Sequence, residues 1–127
     1  MSAPIKFYFD FVSAYSYIAM NRIDALGERW GREVEWNCVP LPEILSHHEA
    51  TSPRDQPAKF AHNSKDFPRL CEMNDLPVSF PPEVPPYGAT LHRLVFWRLQ
   101  RKDPALAKTF ARAVDHRYFG TGKEIGR

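Results

Sequence analysis

The sequence lacks the features that would place it in a special class of protein. None of its 127 residues belongs to an apolar run near the roughly 20 residues that a membrane-spanning helix needs. No single sign of charge dominates either, since 17 lysines and arginines stand against 15 aspartates and glutamates. Nucleic-acid binding needs a clustered basic surface. We therefore expect a one-domain globular protein that binds neither nucleic acid nor membrane.

Cysteine is also scarce. Cys38 and Cys71 form no C-x-x-C pair and no metal-ligand spacing. The adjacent His47 and His48 do not favour zinc, because neighbours on a helix do not face one ligand. The start, "MSAPIKFYFDF", lacks the charged-then-apolar layout of a secretory signal. The sequence predicts a cytoplasmic protein without a metal site, in which Cys38 is a buried thiol of the core.

A strand–helix–strand pattern occupies the first 40 residues. Alternation from Ile5 to Phe11 predicts a strand, and a second strand is predicted over Val34–Val39. Between them we expect one amphipathic helix with Ser13 as N-cap and Gly31 as left-handed C-terminal cap. Its inward stripe is predicted to be Ala19, Ile23, Leu26 and Trp30. Two strands joined by one helix should be parallel, with a right-handed crossover.

The rest of the chain is predicted to be helical. A helix in "PRDQPAKFAHNSKDFPRLCEMND" should kink or restart at Pro68. The prolines of "LPVSFPPEVPP" predict an extended loop. Two later helices are expected, one from about Tyr87 to Lys102 and one that begins at Asp103–Pro104 and ends at Gly120. Their predicted inward residues are Leu91, Leu94, Val95 and Leu99 in the first, and Leu106, Phe110, Ala113 and Val114 in the second. The basic stretch "RLVFWRLQRK" is interpreted as a solvated helix face.

Several motifs, in order, resemble one family. "FYFDFVSAYSYIA" is similar to the F-Y-F-D-F-x-S-P-x-S-Y opening of 2-hydroxychromene-2-carboxylate isomerases and kappa-class glutathione transferases, a DsbA-like branch of the thioredoxin superfamily. "PAKFAHNSKDFPR" resembles the family's P-x-K-x-x-Y-x-x-x-D-x-x-R, with His62 at the tyrosine. "LPVSFPP" and "FGTGKEIG" resemble later segments.

The resemblance implies a thioredoxin-like α/β fold with a helical insertion after the first βαβ unit. Residues 1–42 would form the thioredoxin-like βαβ half and residues 43–127 the helical insertion. The family continues with a cis-proline loop, two strands and a final helix. This chain stops at Arg127, so we expect the C-terminal ββα part to be missing.

The resemblance also implies a function and a site. Ser13 and Ser16 stand where thiol–disulfide relatives carry C-x-x-C, and the family serine matched by Ser13 contacts the sulfur of glutathione. Ser13 would be the catalytic residue, and it would bind the cofactor together with Ala14 and Tyr15. A serine hydroxyl can donate to a thiolate, and the first-turn amides add positive potential. The implied enzyme is a glutathione-dependent isomerase, in which the thiolate adds to a small aromatic or conjugated carbonyl substrate.

Alternatives remain open at several positions. Ser13 can be an N-cap, a thiolate contact or both, whereas Ser16 is interpreted as structural. Asp10 is either an ordinary strand-end carboxylate or a residue that orients the Ser13 loop. Candidate substrate contacts are Arg54, Lys59 and His62; for Arg54 and Lys59, a solvated helix start is the alternative.

The functional alternatives are a kappa-like glutathione transferase and a non-catalytic binding or scaffold remnant. Three departures weaken the transfer of the substrate: Ala14 replaces proline, the leucine–glycine turn after the second strand is absent, and no asparagine occurs in "EATSPRDQPAK". Loss of the strand beside Ile5–Phe11 would expose unpaired backbone groups, which predicts a homodimer or other association through that edge.

Overall fold

The fold is built from a two-stranded sheet and six α-helices in the part of the chain that the computed structural model describes, residues 3–51, 55–79 and 89–125. In chain order these elements are β1 (Ile5–Phe9), α1 (Ala14–Met20), α2 (Ile23–Arg29), β2 (Val34–Cys38), α3 (Leu41–His47), α4 (Pro57–Met73), α5 (Ala89–Lys102) and α6 (Pro104–Asp115). A π-helical turn, His116–Gly120, follows α6 directly.

The predicted pair of parallel strands is confirmed. β1 and β2 pair in parallel, with a register that runs from Ile5 opposite Val34 to Phe9 opposite Cys38. β1 ends two residues earlier than predicted, because its pairing stops where Val39 N donates to Phe9 O at 2.8 Å. The chain then turns, and the side chains of Asp10 and Phe11 enter the interior.

The single helix predicted after Ser13 is two helices. α1 and α2 are separated at Asn21 and Arg22, where the Asn21 side-chain amide donates to the carbonyl of Tyr17 at 2.7 Å. The predicted stripe does not continue across this break, and Trp30 is 68% exposed. α1 instead buries Tyr17, Ile18 and Met20. The predicted left-handed cap after the helical segment is confirmed, since Gly31 has φ +65°.

Helix α4 runs through Pro68 without restarting, so of the two predicted outcomes, a kink or a restart, the restart does not occur. Phe67 and Cys71, on either side of the proline, are buried in a second core cluster, and this packing holds the helix together across the missing donor. Helix α3 was not predicted. It carries Pro42 in its first turn and buries none of its residues, so no apolar stripe marks it in the sequence.

The predicted inward face of α5 is wrong at three of its four positions. Leu91, Leu94 and Val95 are exposed, and only the half-buried Leu99 packs against the core. The buried residues of α5 are instead Ala89, Arg93 and Phe96. The interpretation of the basic stretch as a solvated face therefore fails at Arg93.

In α6 the buried residues are Ala107, Ala111, Val114 and Asp115. Leu106 and Ala113 are exposed, so only Val114 and the half-buried Phe110 follow the predicted pattern.

Helices α5 and α6 pack against the sheet and satisfy the outward carbonyls of β2. Their side chains donate to alternate carbonyls of that strand: Lys108 Nζ to Val34 (3.0 Å), Gln100 Nε2 to Trp36 (2.5 Å) and Trp97 Nε1 to Cys38 (2.9 Å). These contacts block the addition of another strand at this edge. The division at residue 42 stays a prediction. Within the described residues, no helix is long and apolar enough to cross a membrane.

Candidate functional site

Ser13 lies in the turn between β1 and α1. Its backbone is extended (φ −96°, ψ 118°), its N–H donates to Asp10 O at 3.1 Å, and its Oγ accepts from Ser16 N at 3.3 Å. The predicted N-cap is confirmed. Ser13 is half-buried, and none of the described residues accepts a hydrogen bond from its hydroxyl. The hydroxyl is therefore available to donate to a group outside the chain.

The helix that Ser13 caps is short. α1 has seven residues, Ala14 to Met20, whereas the sequence predicted one helix as far as Gly31. The positive potential at Ser13 comes from the free amides of one turn and not from a long helix dipole. A hydrogen bond from the Ser13 hydroxyl therefore carries more of any anion stabilisation than the sequence suggested.

Tyr15 joins the first turn of α1 to helix α4. Its hydroxyl lies 2.8 Å from Asp66 Oδ2 and 3.3 Å from Asn63 Oδ1, and the shorter distance marks Asp66 as the acceptor. The ring lies edge-on to Phe67, with centroids 6.1 Å apart. Burial, followed by the hydrogen bond to Asp66 and its charge, raises the pKa of Tyr15 to about 12. Tyr15 is therefore neutral and acts as a donor.

Helix α4 carries two of the predicted substrate contacts, Lys59 and His62, on the face that meets Tyr15. Lys59, His62, Asn63 and Asp66 follow i, i+3, i+4 and i+7 spacing and so share one face. Asn63 and Asp66 meet Tyr15, while Lys59 and His62 are exposed, toward the N-terminal end of the same face. Arg54 lies outside the described residues.

Beneath the Ser13 turn lies a buried ion pair that the sequence did not indicate. Arg93 donates through Nε and Nη2 to the two carboxylate oxygens of Asp10, both at 2.7 Å. Asp10 is 1% exposed. The hydrogen bond to Asp10 raises the pKa of Arg93 above its already high ordinary value. No pattern links residues 83 positions apart, and Arg93 resembled a solvated arginine in the sequence.

The family follows from comparison with known proteins. A family model described as a DSBA-like thioredoxin domain matches residues 4–127. The chain belongs to that family. It is 28% identical to a 2-hydroxychromene-2-carboxylate isomerase of Sphingobium xenophagum over 96% of this chain and 61% of the relative. It is also 28% identical to glutathione S-transferase kappa 1 of Caenorhabditis elegans, over 95% of this chain and 56% of the relative.

A solved structure of a 2-hydroxychromene-2-carboxylate isomerase matches with a TM-score of 0.77 and 26% identity, covering 94% of this chain and 57% of that one. The resemblance and the DsbA-like thioredoxin fold predicted from the sequence are confirmed. The chain spans about 60% of the length of these relatives.

This DSBA-like domain has no thiol at the start of α1. Positions 13 and 16 carry hydroxyls, and both cysteines are free and buried elsewhere. Burial, with a smaller contribution from Asp10, raises the pKa of Cys38 to about 12, and burial also raises the pKa of Cys71. Neither cysteine supplies a thiolate at neutral pH.

Two other features of the domain lie away from Ser13. A groove of about 910 Å³ runs along β2 between α2 and α6, and its lining includes Glu28, Glu35, Lys108 and Arg112 but none of the predicted site residues. His47 and His48 are exposed at the end of α3, with ring centroids 5.1 Å apart. Across the described ranges, no three histidine, cysteine, aspartate or glutamate side chains cluster as metal ligands would.

Proposed function

We propose that the chain belongs to a glutathione-dependent isomerase of the 2-hydroxychromene-2-carboxylate isomerase type, in which Ser13 stabilises the glutathione thiolate. The observation that carries this proposal is the Ser13 hydroxyl, which caps α1 and still has its hydrogen available to a ligand. Membership of the DSBA-like family and relatives named as an isomerase and a glutathione transferase support the choice of cofactor.

The residues present fit the sulfur end of glutathione. A half-buried hydroxyl donor next to first-turn amides suits an anion, and Ala14 and Tyr15 supply backbone N–H groups of that first turn. Bound glutathione would supply the nucleophile that adds to a conjugated carbonyl compound, allows bond rotation and then leaves. Ser13 acts by donating a hydrogen bond and keeps its own proton, since a serine hydroxyl does not ionise at neutral pH.

The α4 face beside Tyr15 is proposed as the substrate side of the site. The Lys59 ammonium group, exposed on this face, can attract a substrate carboxylate, and His62, one turn along, adds a hydrogen-bonding ring. Tyr15 keeps this face against α1 through its bond to Asp66. The proposed substrate is therefore a small, anionic conjugated carbonyl compound.

Two alternatives are kept. A kappa-like glutathione transferase is favoured by the relative of that name. A non-catalytic binding or scaffold role is the second alternative, and the same assays test it. Conjugation of glutathione to an electrophile without isomerisation would indicate the transferase, and absence of both activities would indicate the binding role.

The proposal is tested with Ser13→Ala at millimolar glutathione. The ultraviolet absorbance of the thiolate, followed against pH, should show a higher pKa for bound glutathione in the variant, and isomerisation should slow. The free energy of unfolding should fall by only about 1 kcal/mol, the usual effect of a lost N-cap. Ser46→Ala, an exposed serine on α3, is the matched control. An unchanged thiol pKa would leave Ser13 as a cap alone.

We expect residues 1–127 by themselves to bind glutathione weakly, because only the sulfur end of the site is identified in them. Isothermal titration of the chain with glutathione measures this. Micromolar affinity would contradict the expectation and would mean that these residues also hold the peptide end of the cofactor.

A further inference from the structure

The Asp10 carboxylate is the meeting point of three separate segments. It accepts two hydrogen bonds from Arg93 on α5, one from Phe11 N at 2.8 Å and one from Leu41 N at 3.0 Å. Both charged side chains are nearly excluded from solvent. The end of β1, the start of α3 and the middle of α5 are thereby fixed to one another through a single carboxylate.

The backbone of the same residue holds the turn that carries Ser13. Asp10 O accepts from Ser13 N at 3.1 Å, and Asp10 N donates to Ser16 Oγ at 3.5 Å. Asp10 therefore links two sets of contacts. Its carboxylate is held by Arg93 and by two backbone N–H groups, and its own backbone N–H and C=O hold the first turn of α1.

We propose that Asp10 and Arg93 are positioning residues, which hold the Ser13 turn in the geometry that stabilises an anion at position 13. The use of this anion site for glutathione rests on the proposed function, but the positioning itself does not. A buried ion pair adds little net stability compared with apolar residues of similar size. Its four satisfied bonds at the base of this turn instead favour a role in local geometry, and they extend the candidate site into helix α5.

A thiol introduced by Ser13→Cys reports on this geometry without any ligand. The native thiols do not interfere in the folded protein, because Cys38 and Cys71 are both buried. The pH dependence of iodoacetamide alkylation gives the pKa of the introduced thiol. In the otherwise unchanged chain we expect a value below about 8.5, as for thiols at helix N-termini. A pKa of 8.5 or above would overturn the proposal, since the turn would then not stabilise a thiolate at position 13.

Two changes to the pair are combined with Ser13→Cys. Arg93→Lys keeps the cation but loses the two-point contact, and the double change Asp10→Leu with Arg93→Leu removes both charges together, which avoids leaving either one buried alone. Each should raise the pKa of the introduced thiol by at least about half a unit and slow alkylation at pH 7 about threefold. Loss of the negative charge of Asp10 by itself would instead lower the thiol pKa, because a nearby anion disfavours the thiolate.

The control is Arg98→Lys, an exposed arginine on the same helix, which should leave the thiol pKa unchanged. Urea unfolding is measured in parallel. A lower stability with an unchanged thiol pKa would make the pair purely structural and overturn the proposal. If the double variant does not fold, Arg93→Lys alone decides. If Ser13→Ala leaves the glutathione thiol pKa unchanged while these shifts occur, the proposed function fails and the positioning role stands.

Discussion

The hydroxyl of Tyr15 donates a 2.8 Å hydrogen bond to Oδ2 of Asp66, and this contact joins the turn that carries Ser13 to a helix 51 residues further along the chain. The two helices also meet through apolar contacts, since the rings of Tyr15 and Tyr17 on α1 both lie edge-on to Phe67 on α4. The bond helps to hold one face of α4 against Tyr15. By their spacing, Lys59 and His62 share that face with Asp66, and their contact with a substrate stays a prediction.

Removing the Tyr15 hydroxyl tests this contact. Tyr15→Phe should lower the free energy of unfolding in urea by about 1 kcal/mol, the usual net effect of one hydrogen bond. The matched control is Tyr8→Phe, because the Tyr8 side chain is 60% exposed on β1 and its hydroxyl bonds none of the described residues. Equal losses in the two variants would show that the Tyr15–Asp66 bond contributes nothing specific.

The buried carboxyl of Asp115 should make stability depend on pH. The residue is fully buried on α6, and neither of its oxygens has a hydrogen-bond partner in the described structure. Burial, and then the charge of Asp10, raises its pKa well above the ordinary value. Tyr17 and Cys38 also face it closely enough for their pKa values to respond to its charge.

The sign of the effect follows from which state binds the proton. Above the ordinary aspartate pKa of about 4 the unfolded chain loses the proton that the folded chain keeps, so stability falls by up to about 1.4 kcal/mol per pH unit. Asp115→Asn should remove this dependence, and its advantage over the parent should grow as pH rises from 4 to 7. Urea unfolding across that range measures it, with exposed Asp75→Asn as control. A difference between variant and parent that is constant with pH would contradict the expectation.

Both native thiols should be unreactive while the protein is folded. Burial raises the pKa of Cys38 to about 12 and also raises that of Cys71, so the thiolate population at pH 8 is small and shielded. Iodoacetamide labelling followed by mass spectrometry should show two unmodified cysteines in buffer and two modified ones in denaturing urea. Rapid labelling of either thiol in buffer would mean that its core cluster opens readily.

The region around Ser13 was predictable because its signals are local. A capping serine, an apolar strand and a glycine with positive φ each act on their nearest neighbours in the chain. The break at Asn21 was missed because its side chain competes for a backbone carbonyl, which an apolar stripe does not record.

The buried face of α5 was missed for a different reason. Arg93 is a core residue because it pairs with the buried carboxylate of Asp10, which lies 83 positions earlier in the chain. The helical periodicity of the sequence predicted instead that Leu91 and Leu94 face the core, and both are exposed. The covered edge of β2 could not be predicted either, since it depends on side chains such as Lys108 and Trp97 that reach across from other elements.

The other edge of the sheet differs from that of β2. In β1, Lys6 and Tyr8 alternate with the residues whose backbone groups bond β2, and both are exposed. Among the described residues, neither backbone has a hydrogen-bond partner on that edge. Within the described residues, helices α5 and α6 therefore bond the outward carbonyls of β2 and leave the outward donors and acceptors of β1 unpaired, next to an aromatic side chain. Such an edge can pair with another chain.

We expect the chain to associate through β1, either as a homodimer or as larger species. Light scattering over increasing concentration should show a mass above that of one chain, and Tyr8→Lys should reduce it, because a second lysine beside Lys6 places like charges along the pairing edge. Leu26→Lys is the matched control, since Leu26 is an exposed apolar residue on helix α2 and not on β1. Equal loss of association in both variants would indicate nonspecific association through exposed apolar side chains rather than strand pairing. A stable monomer at high micromolar concentration would contradict the prediction outright, and the groups on Lys6 and Tyr8 would then be satisfied by water alone.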